Sequence, residues 1–219
     1  MSGKKKIAVV LSGCGVYDGA EIHESVLTLL AISRHGAEAV CFAPDIKQHH
    51  VINHLTGQEA AESRNVLVEA ARIARGQISA LAAFNAAAVD ALVFPGGFGA
   101  AKNLCSFAFD GADATVNPEV EAAVKAMVAA GKPVAALCIA PALLAKILGD
   151  VDLTIGEDAG TAAALEKLGA RHVPSRQTEV VVDRKRKVVT SPCYMLDSTV
   201  AQIADGADNT IKAVLELIG

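Results

Sequence analysis

The chain has 219 residues, of which 52% are hydrophobic and 20% charged, so it is long and apolar enough to bury a sizeable core and is not a disordered polymer. Aromatic residues make up only 4%, there is no Trp, and the net charge is −4, which argues against base stacking and against a nucleic-acid partner. Five scattered cysteines without a C-x-x-C pair argue against a disulfide framework or a zinc ribbon.

Lys6 to Leu11 reads as a buried parallel strand. A turn-rich loop, Ser12 to Gly19, leads into a helical stripe over Ala20 to His35 that Gly36 closes. Glu38 to Phe42 is a second strand and completes a βαβ unit. The pair Gly13 and Gly15 invites a dinucleotide reading, which is rejected because the third glycine position holds Asp18, a carboxylate facing a pyrophosphate. Residues from about 45 to 89 are less regular and read as an insertion near the site, in the place of a lid or a dimer surface, with a helix in Ser63 to Gly76. His49, His50 and His54 lie there. The first two are sequence neighbours expected to point apart, and no carboxylate is suitably spaced, so they read as surface histidines and no metal site is assigned.

Asp90 to Phe94 is the next strand and runs into Pro95-Gly96-Gly97. Ala100 to Phe109 starts helical and breaks at Asp110 to Asp113. Asn117-Pro118-Glu119 opens a helix to Ala130: Asn caps, Pro takes the first position, and Glu favours the dipole. Val134 to Leu137 is a short buried strand ending at Cys138, and Pro141 onward is helical. After a strand at Leu153 to Ile155 and a helix from about Asp158 to Leu168 comes a hairpin, Glu179 to Asp183 and Lys187 to Thr190, with a basic tip at Arg184 to Arg186. A closing amphipathic helix covers Asp197 to Ile218. Strands alternating with helices give an α/β fold with a mostly parallel sheet, its site at the carboxyl ends of the strands.

The chemistry points to Cys138. A thiol at a strand-to-helix joint receives the helix dipole, which favours thiolate, and small neighbours Ala136 and Ala140 suit the tight turn of a nucleophile elbow. The Gly96-Gly97 loop could supply backbone donors to an oxyanion. Glu21 and Glu24 share a face of the first helix. One of them, buried beside the thiol, would have a raised pKa and could pass protons, whereas Glu21 is better read as a first-turn acid that complements the helix dipole. No apolar run reaches membrane-spanning length, Ile7 to Leu11 is too brief for a signal sequence, and the free thiols point to a reducing cytoplasm.

The stretches Leu11 to Gly19 (LSGCGVYDG), Val51 to Gly57 (VINHLTG), Gly96 to Leu104 (GGFGAAKNL) and Cys138 to Pro141 (CIAP), with Ala20 to Val26, resemble the cysteine-containing class I glutamine amidotransferase-like superfamily, which includes the protein deglycases and intracellular-protease-like proteins. Within it they are similar to the ElbB-type isoprenoid biosynthesis glyoxalases, over nearly the whole chain. The resemblance implies a single domain over 1–219 with a flavodoxin-like three-layer sandwich, a homodimer, and a cofactor-free glyoxalase III-like lyase or hydratase that turns glyoxal into glycolate. It also implies that Cys138 is the nucleophile, Glu24 the acid contacting it, and the N–H groups of Gly97 and Ile139 the oxyanion hole, with Gly96 and Glu21 as further candidates. Some relatives carry a histidine shortly after the cysteine. Here that region reads Thr154 to Asp158 without one, and His172 could serve only if the fold brings it over. Three functions therefore stand side by side: the glyoxalase-like enzyme acting on a small aldehyde or on glycated protein groups, a thiol-based redox sensor or accessory binding protein linked to isoprenoid biosynthesis, and an amidotransferase-type domain serving a synthase.

Overall fold

Apolar runs too short for helices and rich in Val, Ile and Ala become the strands of one sheet, and the stripes between them become the helices that cover it. The computed structural model describes residues 3–219, so the first two residues of the basic start lie outside it. In chain order the elements are β1 (Lys6–Val10), α1 (Ile22–Arg34), β2 (Glu38–Ala43), β3 (Ile52–Asn53), β4 (Gln58–Glu59), α2 (Val66–Ile73), β5 (Ile78–Ala80), β6 (Ala91–Phe94), α3 (Phe107–Asp110), α4 (Pro118–Ala129), β7 (Val134–Leu137), α5 (Pro141–Leu148), β8 (Asp152–Leu153), α6 (Ala159–Lys167), β9 (Arg171–His172), β10 (Val181–Asp183), β11 (Val188–Ser191) and α7 (Val200–Ile218). The main sheet has the order β10-β11-β7-β6-β1-β2-β5, parallel throughout except for the edge hairpin β10–β11. The run β2-β1-β6-β7-β11 is the 2-1-3-4-5 order of a flavodoxin-like sheet.

The period-two rule sorts each strand between two cores. Ala8, Val10, Leu92, Phe94, Val134 and Ala136 face one side, under α4, α5 and α6. Ile7, Val9, Ala91, Val93, Ala135 and Leu137 face the other, under α1, α2 and α7. All are fully buried, which explains why these strands read as continuous apolar runs rather than alternating ones. The result is a three-layer α/β/α sandwich.

Three expectations change in detail. Ala100–Leu104 forms a π-helical turn, not an α-helix, and only Phe107–Asp110 is α-helical beyond it. The wider turn lets two consecutive side chains reach the loop after β1: Lys102 Nζ donates to Tyr17 O (2.9 Å), and Asn103 Nδ2 donates to Ser12 O and Asp18 O (both 2.9 Å). The strand expected at Leu153 to Ile155 is the two-residue β8, which pairs with β9 outside the main sheet. In the 45–89 segment, β3 and β4 form a hairpin whose Ile52 N–H donates to Asp18 Oδ2 (2.6 Å), while β5 adds an edge strand beside β2. The start of α4 is as the sequence reads it: Asn117 Oδ1 accepts from the N–H groups of Glu119 (2.9 Å) and Val120 (3.3 Å), with Pro118 in the first turn. Asn117→Ala should cost about 1 kcal/mol. Chemical denaturation would then shift its midpoint with an unchanged slope, and an unchanged midpoint would remove the cap's role.

Candidate active site

The order of the sheet reverses between β1 and β6, and ligands of open α/β sheets bind outside the carboxyl ends of the strands at such a point. Cys138 stands at the end of β7, one strand further along. Its N–H donates to Ser191 O of β11 (2.9 Å), and its backbone is then turned to φ 60°. A left-handed conformation costs a non-glycine residue roughly 1–2 kcal/mol. Here it bends the chain from strand to helix within three residues, since Ala140 N–H already bonds to Leu137 O and Pro141 begins α5. The thiol thus sits at a sharp joint, as the sequence reading places it, and the residue is 8% exposed.

Two turns and a helix close on the sulfur. From the loop after β6 comes Gly97, at φ 95°, and from the turn itself Ile139, and the backbone N–H groups of both act to lower the pKa of the Cys138 thiol. From α1 comes Glu24, which has no exposed surface. Its Oε2 accepts from Gly96 N–H (2.9 Å), its Oε1 accepts from Tyr194 N–H (3.1 Å), and Cys138 lies on the same side of Gly96. Gly96 is required at this crossing. A Cβ there would collide with Cys138 Cβ and lie 2.5 Å from Glu24 Oε2.

Of the two carboxylates, the structure separates the roles cleanly. Glu21 is the N-cap of α1, its Oε2 accepting from Glu24 N–H (2.7 Å), which is the helix-terminal part assigned to it. Glu24 is the one at the thiol. His23 points elsewhere and is exposed, its Nδ1 2.8 Å from Tyr194 Oη. His172 lies in the small β8–β9 sheet, with Nε2 3.4 Å from Ile155 N, and is not among the groups bonded to Cys138 or Glu24. His49 and His50 do not point apart. Their rings stand 4.5 Å from each other, and both pack on Phe109, because the chain there is neither helix nor regular strand. Among the described residues, no three His, Cys, Asp or Glu side chains group to hold a metal ion. Tyr194 is the contact the sequence reading misses. The rule that sites gather at strand ends also covers the turn after β11, which holds Cys193 and Tyr194.

The electrostatics correct one expectation. Burial pushes the Cys138 thiol well above its ordinary value, and a charged Glu24 would push it further, against the pull of the Gly97 and Ile139 N–H groups. A dipole alone would have favoured thiolate, but desolvation dominates at a buried thiol. Burial likewise raises Glu24 to about 8, with the two backbone N–H donors opposing. Below that pH the carboxyl is neutral, its charge no longer opposes the thiolate, and it has a proton to donate. Cys41 and Cys105 are pushed up to about 11 by burial, and Cys193 is raised well above its usual range.

A sequence profile of the DJ-1/PfpI family matches residues 14–195, which takes in Glu24, Gly97, Cys138 and Tyr194. The chain belongs to the DJ-1/PfpI family. It is 52% identical to the human glutamine amidotransferase-like class 1 domain-containing protein 3, mitochondrial, over 98% of this chain and 84% of that one. It is 51% identical to the rat ES1 protein homolog, mitochondrial, over 99% of this chain and 85% of the relative. Among solved structures, the isoprenoid biosynthesis protein with amidotransferase-like domain from Ehrlichia chaffeensis superposes with a TM-score of 0.93 at 36% identity, covering 98% of this chain and all of the other. The mitochondrial names of the human and rat relatives overturn the cytoplasmic expectation. Unpaired thiols mark a reducing environment without saying which one. No helix among the described residues is long and apolar enough to cross a membrane.

Because the folded chain holds the Glu24 proton to about 8 and the unfolded chain releases it in the ordinary carboxyl range near 4.5, stability should fall as pH rises across that window and level off above it. Glu24→Gln removes this component. The difference in Tm between wild type and the variant, followed from pH 5 to pH 9, should drift in the variant's favour. A difference independent of pH would mean that Glu24 titrates normally.

Proposed function

We propose that this chain is a cofactor-independent, ElbB-type glyoxalase-like enzyme that converts glyoxal to glycolate through Cys138, with related 2-oxoaldehydes and glycated protein groups as further substrates. The observation that carries the reading is Glu24: a fully buried carboxyl, raised to about 8, held against Gly96 beside the Cys138 thiol. A group protonated at neutral pH, within reach of a nucleophile and next to a donor pair, suits proton transfer to and from a carbonyl.

In the proposed course, the sulfur of Cys138 adds to one aldehyde carbon. A C–S bond forms, Glu24 gives its proton to the carbonyl oxygen, and the thiol proton passes to water, leaving a hemithioacetal beside a Glu24 carboxylate. The N–H groups of Gly97 and Ile139 hold the oxygen as charge develops on it. Glu24 as carboxylate then removes the proton from the sulfur-bearing carbon and delivers it to the neighbouring carbon, while the hydroxyl proton moves from the first oxygen to the second. This turns the hemithioacetal into a thioester of glycolate. Water breaks the C–S bond, glycolic acid leaves, the thiol regains a proton from that water, and Glu24 recovers its own from solvent. The net change is glyoxal plus water to glycolic acid, with no external oxidant or reductant. The raised pKa of Cys138 favours this reading over a peroxide sensor, because the thiolate is the form that oxidises and here it is formed only as the bond to carbon is made.

Cys138→Ser should abolish glyoxal turnover, and Glu24→Gln, which cannot shuttle a proton, should lower it by roughly 10²-fold or more. Glu21→Gln serves as the control that tests helix capping alone. Wild-type activity should also decline as pH rises through about 8, as Glu24 loses its proton. Glycolate formation measured by chromatography, with trace metals and buffer adducts controlled, decides the matter: full turnover in Glu24→Gln would refute the Cys138/Glu24 mechanism.

A further inference from the structure

Two consecutive residues of α1 are tied to one residue, Tyr194, in the turn after β11. The buried carboxyl of Glu24 accepts from the Tyr194 N–H through Oε1 (3.1 Å). His23, which is exposed, is hydrogen-bonded through Nδ1 to the Tyr194 hydroxyl (2.8 Å), with the two rings tilted and their centroids 5.9 Å apart. Tyr194 is therefore held at both ends, its backbone by residue 24 and its phenol by residue 23. The turn it sits in needs such ties. Cys193, just before it, stands at φ 42°, a left-handed conformation that a non-glycine residue keeps only when its surroundings impose it. Within the turn, Met195 N–H donates to Pro192 O (2.9 Å) and Leu196 N–H to Cys193 O (3.2 Å). These bonds close the turn without using the Tyr194 N–H, whose partner is Glu24.

The bond at residue 23 matters because of what the Tyr194 N–H does at residue 24. Burial raises the Glu24 carboxyl to about 8. Of the groups facing it, the Tyr194 N–H opposes that rise most, ahead of the Gly96 N–H and the Cys138 thiol, while Glu21 adds to it. The Gly96 donor is wedged against Cys138, where even a Cβ would collide, so it has no room to shift. The Tyr194 donor sits in the strained turn, and a donor left to swing stabilises a carboxylate less. We infer that His23 is a positioning residue of this site: by holding the Tyr194 hydroxyl it keeps the turn after β11 closed on α1 and the Tyr194 N–H aimed at Glu24. His23 acts through Tyr194 and takes no part in bond making. A surface side chain thus helps to keep the acid of the site near the working pH, where a group that must both give and take a proton serves best.

This inference rests on Glu24 as the acid of the site proposed above, and not on which aldehyde is turned over, so it is tested on the carboxyl itself. The intact chain, labelled with 13C at the glutamate carboxyls, is titrated by NMR, with the Glu24 signal assigned by its loss in Glu24→Gln. His23→Ala and Tyr194→Phe each remove one side of the bond and leave the Tyr194 N–H in the chain. Each should raise the Glu24 midpoint by roughly 0.5 to 1 in pH, the scale of one hydrogen bond. The double variant should rise no further than either single one, the mark of a shared interaction. His23→Asn, which returns a polar atom near the place of Nδ1, should recover most of the wild-type midpoint. Asn117→Ala, which loosens a helix of the opposite layer, should leave the midpoint where it is. A midpoint that stays put in both single variants, or that adds up in the double one, overturns the role of His23 even if glyoxal is turned over. A Glu24 midpoint that follows His23 and Tyr194 in a protein inactive on aldehydes upholds the tie and sinks the glyoxalase reading.

Discussion

One buried carboxyl holds the site together. Glu24 is reached by a backbone N–H from the loop after β6 and another from the turn after β11, while the thiol after β7 leans on it from between. Three strand ends that are neighbours in the sheet are thus clamped to one side chain of α1. Leaving such a group unpaired would be costly, and leaving it charged costlier still. The fold meets that cost with two donors and a retained proton. The same arrangement explains why Gly96 carries no side chain: the space is already taken by the two groups it brings together.

Much of this was legible in the chain. The β7 strand, the joint at Cys138, Pro141 at the head of α5 and Asn117 at the head of α4 are local signals, written in residues that sit next to one another, and the structure repeats them. Glu21 was legible as a helix-terminal acid, but helical spacing sets it on the same face as Glu24, and it was the family resemblance that put Glu24 at the thiol. What was not legible depends on sequence-distant packing. Tyr194 enters the site through its backbone N–H, and a backbone group leaves no trace in residue type. The π-turn at Ala100–Leu104 arises because Lys102 and Asn103 are both drawn to carbonyls of the loop after β1, some 85 to 91 residues earlier. The direction of the Cys138 shift was misread for a similar reason. A helix terminus is visible in the sequence, whereas the degree of enclosure is not.

A recess lined by Tyr17, Ile52, Gly57, Phe98 and Lys102 belongs to the same class of feature. Its parts lie in three motifs separated by dozens of residues, and only two of them carry an aromatic, Tyr17 and Phe98. Only the sheet order, which puts β1 beside β6, brings those turns into register. Family resemblance marks such stretches as related without saying what they do together.

The left-handed backbone at Cys138 has a further consequence, for heat inactivation. The joint is strained by roughly 1–2 kcal/mol and is kept that way by its neighbours, not by its own preference. Any loosening of the contacts among α1, β7 and the turn after β11 lets that residue relax toward ordinary extended or helical geometry, carrying the sulfur away from its donors. Loss of this geometry on warming is then a local event that runs ahead of the cooperative melt, so the site has a lower thermal ceiling than the fold.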